Sequence, residues 1–93
     1  MGDDFMNKVF MSGYYQGVVE TAPATLSATK VEQLAVTMTI LHLRLAGESV
    51  TTIHDFLAND IHADPRIINK YINLSANKLK FSQAQVMQLA FKE

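Results

Sequence analysis

Apolar residues along this chain recur mostly at intervals of three and four, the period of a helix with one buried face, while the alternation a strand needs is scarce. The first such stretch covers residues 3 to about 20. Asp3 and Asp4 suit a helix N-terminus, and Phe5, Val9, Phe10, Tyr14 and Val18 follow at near-helical spacing. Gly13 and Gly17 each cost about 1 kcal/mol against Ala in a helix interior, so the segment needs tertiary contacts, and their spacing would admit a close neighbouring helix. Extended structure around Val9 to Tyr15 is the alternative. The stretch TAPATLSAT, with Pro23, reads as a surface loop.

A second helix is predicted from about Lys30 to Leu45, opened by a capping box of Thr29 and Glu32. At about 100° per residue, Val31, Leu34, Met38, Leu41 and Leu45 share one arc, and Val36, Ile40 and Leu43 lie nearly opposite. A helix apolar on two sides is buried on two sides, either at the centre of a small bundle or in the seam of a homodimer. Gly47 suits the left-handed position after its last turn. Thr52 with Asp55 repeats the capping box for a helix of about residues 52–60, with Ile53, Phe56 and Leu57 as its apolar stripe.

Asp64-Pro65 is the sharpest helix start in the chain, because the carboxylate accepts from free N–H groups and Pro at the first position lacks a donor that would be free anyway. That helix is expected to run from Pro65 to about Leu79, with Ile67, Ile68, Tyr71, Ile72, Ala76 and Leu79 inward. Ser82 and Gln85 then open a terminal helix whose Val86, Leu89 and Ala90 dock on the body. The expected fold is all-α: one compact domain of four or five helices over residues 1–93, with a helix-turn-helix-like pair at about 52–60 and 65–79.

Composition narrows the classes. With 93 residues, 48% hydrophobic and 18% charged, the chain fits one soluble domain and is neither fibrous nor disordered. No cysteine is present, so there is no disulfide framework or thiolate chemistry, and a reducing, cytoplasmic setting is expected. Uncharged runs fall short of the roughly 18 residues that span a bilayer. The MGDD start and Met6 fit neither a signal peptide nor a myristoylation signal, so no export or lipid address is expected. The net charge of −1 hides an asymmetry: residues 1–61 hold three cations against seven acids, a net −4, and residues 62–80 hold four cations against Asp64 alone, a net +3.

Catalytic patterns are not evident. His42, His54 and His62 lack metal-ligand spacing, no Gly-rich phosphate loop occurs, and no Ser, His and Asp order suggests a triad, so no enzyme, metal or cofactor is expected. His42 reads as a partly buried core histidine, and His54 and His62 as surface or turn residues. Asp55 and Asp60 are a formal acid and base pair, but capping already accounts for Asp55. Met38 and Met87 read as core filling rather than a soft binding groove. Of adjacent Tyr14 and Tyr15, one should be core and the other exposed.

The informative stretch is Asp64 to Lys80. On one straight helix, Arg66, Asn69, Lys70, Asn73, Asn77 and Lys80 share an arc of about 100° that holds no acid. Asn is a poor helix former, so three on one face stand against propensity. Arg and Asn also make bidentate contacts with guanine and adenine edges, and Lys serves phosphates. A solvated amphipathic face is the plainer reading of the same residues. Placed after a short helix and a tight turn, the stripe matches the layout of a helix-turn-helix, although the turn IHADP lacks the usual Gly and the pI near 6.3 is not that of a basic domain. The expectation is a small DNA-binding transcriptional regulator, homodimeric, with double-stranded DNA as partner. A protein-interaction module, such as an inhibitor, antitoxin or adaptor, is the alternative.

Overall fold

Four of the five helices begin where a small polar side chain takes a free backbone N–H. In a computed structural model that describes residues 2–91, with side chains for residues 8–75 and 77–88, five helices follow in order. They are α1 (Gly2–Thr21), α2 (Ala28–Leu45), α3 (Val50–Asp55, prolonged by a π-helical turn Phe56–Asp60), α4 (Pro65–Tyr71) and α5 (Ala76–Phe91). No strand occurs among the described residues. The all-α reading and the helical course of residues 3–20 therefore hold. The side chains of Asp3, Asp4, Phe5, Met6, Ala76, Leu89 and Ala90, invoked above, lie outside the described ones.

Two of the capping boxes are displaced. Ser27, not Thr29, caps α2 by accepting from Lys30 N–H at 3.2 Å, and Ser49, not Thr52, caps α3 by accepting from Thr52 N–H at 3.1 Å. In both cases a Ser upstream already meets the donor, so the Thr falls inside the first turn. Asp55 accordingly makes no cap and lies 3.6 Å from His54. Asp64-Pro65 does open α4: Asp64 Oδ1 accepts from Arg66 N–H at 2.9 Å. Gly47 takes φ +94, with Glu48 N–H donating to Leu43 O and Gly47 N–H to Arg44 O, the paired bonds of a Schellman ending.

α2 is the centre of the bundle, packed against both α1 and α5. Its arc of Val31, Leu34 and Met38 meets Val18, Leu26, Val86 and Met87, while Val36, Ile40 and Leu43 enter a larger cluster with Ile53, Leu57, Ile68 and Leu79. That larger cluster draws residues from every helix. The two-sided burial expected of α2 is thus satisfied within one chain, except at Leu45, which is 57% exposed. Tyr15 is core and Tyr14 half-buried, its ring stacked on half-buried His42 with centroids 4.2 Å apart. The close neighbour expected at Gly13 and Gly17 is absent among the described residues, since a Cβ at either would meet nothing within 4 Å.

Candidate nucleic-acid interface

The expected helix 65–79 is two helices. α4 stops at Tyr71, residues 72–75 form a turn, and α5 starts at Ala76, six residues ahead of the expected Ser82 start. Local chemistry explains the break. Ser75 Oγ accepts from Lys78 N–H at 3.3 Å, and Asn73 sits in the turn, where short amide and hydroxyl side chains compete best for backbone groups. The carbonyls freed by the break find a donor outside the segment. Arg44, in the last turn of α2, donates from Nη1 to Leu74 O and, at 3.5 Å, to Ile72 O.

The six residues of the stripe are therefore distributed over three segments. Arg66, Asn69 and Lys70 lie at helical spacing on α4, Asn73 in the turn, and Asn77 and Lys80 on the first turns of α5. All six are exposed. Between them Ile68, Tyr71, Ile72 and Leu79 are buried, so the division into inner and outer residues survives the break that the continuous helix does not. The apparent surplus of asparagine on one helix face is partly an effect of reading Asn73 as helical; in the structure it is a turn residue.

Two charges of the stripe have partners. The Arg66 guanidinium, 91% exposed, lies 3.1 Å from Asp64 Oδ2, so the acid-free surface begins only after Arg66. Hydrogen bonds from the Arg66 side chain first, and from its backbone N–H second, hold the Asp64 carboxyl below its ordinary range. Lys70 Nζ stands 5.5 Å from the Tyr71 ring centroid, which steadies its stem against α4. Beyond the turn, exposed Lys78 joins Asn77 and Lys80. On one straight helix 65–79, at about 100° per residue, Lys78 would fall on the apolar side, and the start at Ser75 turns it outward.

The turn before α4 is also built without glycine. His62 takes φ +61, Ile61 N–H donates to Phe56 O at 3.1 Å, and Ala63 N–H reaches back to Leu57 O at 2.9 Å, closing the π-helical turn. Glu32 fixes the far side by accepting Asp64 N–H on Oε1 at 2.7 Å, a tie from α2 to the cap of α4 that sequence spacing gave no sign of. Four residues, 61–64, thus join the two helices of the pair.

The chain matches no protein-family model, no curated protein and no solved structure. No group of three His, Asp or Glu side chains gathers to hold a metal among the described residues, and no helix there is long and apolar enough to cross a membrane.

Proposed function

We propose that the protein is a small DNA-binding regulator that presents the N-terminal part of α4 to the major groove of double-stranded DNA. The observation that carries this reading is the exposure of Arg66, Asn69, Lys70, Asn73, Asn77 and Lys80 on one consecutive stretch in which Ile68, Tyr71, Ile72 and Leu79 are buried. A helix held from behind by Ile68, Tyr71 and Ile72, entered by a four-residue turn, can be inserted without rearranging the core. Asn69 is the residue for a base edge, Arg66 exchanges Asp64 for a guanine edge, and Lys70, Lys78 and Lys80 face phosphates. Asn73 and Asn77 flank the contact from the turn and from α5. Because α4 has only seven residues, a second copy reading a second half-site would supply the remaining specificity.

A protein-interaction role, as an inhibitor, antitoxin or adaptor, is favoured by a different observation. Phe10 is 59% exposed and stacks over His42 beside Tyr14, leaving an aromatic group open on the α1 and α2 side.

Fluorescence anisotropy with a random duplex at two salt concentrations separates the two. On the DNA reading, Lys70→Ala weakens binding to every sequence and lowers the salt slope by about one unit, whereas Asn69→Ala costs about 1–3 kcal/mol on a selected site. Absence of affinity at about 50 mM salt, or stripe variants that bind like the parent, removes the DNA reading. Sedimentation at twice the 10.4 kDa chain mass would support the dimer.

A further inference from the structure

An open depression at the α1–α2 loop, about 530 Å³ in volume, lies against the same carboxylate that ties α2 to α4. Its walls are apolar, with Val19, Leu26 and Val31 among them, Ala24 contributes at the loop, and its ionisable groups are Tyr15 and Glu32. This volume is within the range of small-molecule sites, roughly 300–1,000 Å³. Glu32 is the single charged residue of the lining. A carboxylate offers about four acceptor positions, and Glu32 uses Oε1 for Asp64 N–H. Burial first, and the neighbouring Glu32 charge second, raise the Tyr15 hydroxyl above its ordinary range, so it stays a neutral donor and acceptor at physiological pH.

We propose that this depression binds a small organic cation, an ammonium on a compact apolar body, and that Glu32 transmits its occupancy to the start of α4. The ammonium donates to Glu32 Oε2 and to the Tyr15 hydroxyl, and the apolar body covers Val19, Leu26 and Val31. An anion is repelled by Glu32, and a neutral apolar molecule leaves the carboxylate's remaining acceptors unused. A cation on Glu32 draws electron density from the oxygen that accepts Asp64 N–H. Asp64 caps α4 through Arg66 N–H, so the effect reaches the first turn of the helix in two hydrogen bonds. The regulatory consequence rests on the DNA-reading role proposed for α4; the binding and its transmission do not.

Phenethylammonium chloride is a suitable probe, with 2-phenylethanol as the uncharged control, followed by amide chemical shifts on the intact chain without DNA. The expected result is saturable binding in the millimolar range or tighter, with residues 15, 32, 64 and 66 moving along one isotherm. The alcohol should bind about tenfold more weakly, the loss of roughly one charged contact. Glu32→Gln keeps an acceptor for Asp64 N–H but removes the charge, and should weaken the probe by a similar factor. Ala24→Trp, at an exposed loop position, should block it without touching the core. Lack of saturation, equal affinity for the alcohol, or indifference to Glu32→Gln overturns the site. Shifts that stay within the depression and never reach residues 64 and 66 overturn the coupling. Because no arm of the experiment contains DNA, failure of the DNA reading leaves each of these outcomes readable.

Discussion

Helix α2 and the segment 64–80 carry the same sequence signal, apolar residues at helical spacing behind a capping residue, yet one is a single helix of 18 residues and the other is two helices and a turn. The difference lies in what else the backbone is offered. Inside α2 the short polar residues are all Thr, and Thr37 Oγ1 donates back to Gln33 O at 2.7 Å without opening the helix. Inside 64–80 Ser75 Oγ opens a new helix by accepting from Lys78 N–H, and Arg44 supplies a donor for the carbonyls of the turn. Periodicity marks which residues face inward. Continuity depends on whether local and distant partners reward a break.

The comparison is sharpened most by removing what α2 buries. Ile40 is fully buried, and Ile40→Ala should lower stability by about 2–5 kcal/mol, the transfer loss plus a cavity. Asn69→Ala, on the outer face of α4, should change it by less than about 0.5 kcal/mol. Urea midpoints with an unchanged slope would check both. If the two variants matched, the division between structural α2 and free α4 would fall.

Much of this was legible beforehand and some was not, for definable reasons. The two buried arcs of α2, the Asp64-Pro65 start and the left-handed Gly47 follow from residue type and spacing, which act over a few residues. Ser27, Ser49 and Ser75 displaced the expected starts because several Ser and Thr lie near each helix end and spacing alone does not choose among them. Contacts made across 28 to 32 residues, Arg44 to the 72–75 turn and Glu32 to Asp64, left no periodic trace. For the stripe, exposure could be read from periodicity, whereas its division over three segments could not.

Arg44 joins the two regions, so Arg44→Met is the next most informative change. Methionine keeps an apolar stem and removes the donors to Ile72 O and Leu74 O. A hydrogen bond from a charged group contributes about 1.5–3 kcal/mol, and a loss of this order is expected on denaturation. Hydrogen exchange should quicken first around residues 72–79 and leave the centre of α2 protected until global unfolding. Uniform acceleration would show that the turn is held by packing alone.

Acid should separate the regions more gently. The Asp64 carboxyl is held below its ordinary value of 3.8 by Arg66, so its folded form favours the charged state. Its contribution is present above that ordinary value and is lost as pH falls through the depressed one. Amide protection at Arg66 and Ile68 should therefore decline in this acid range while Ile40, in a helix capped by neutral Ser27, keeps its protection. Simultaneous loss at all three would place the acid transition elsewhere than at the cap.

The smallest effects concern two turns, one after α2 and one after the π-helical end of α3. Gly47 at φ +94 and His62 at φ +61 do the same work with different residues. A Cβ at Gly47 meets nothing within 4 Å, so Gly47→Ala is opposed by backbone strain alone and should cost about 1 kcal/mol. His62 already bears that strain, of about 1–2 kcal/mol for an L-residue in the left-handed region. His62→Gly removes it and adds unfolded-state freedom worth about 0.5–1 kcal/mol, leaving a net stabilisation under about 1 kcal/mol. Thermal unfolding should then show opposite signs for the two substitutions, with the α4 start unmoved in either. A destabilised His62→Gly would mean that the imidazole itself holds the turn, and the likeness of the two turns would end at their backbone.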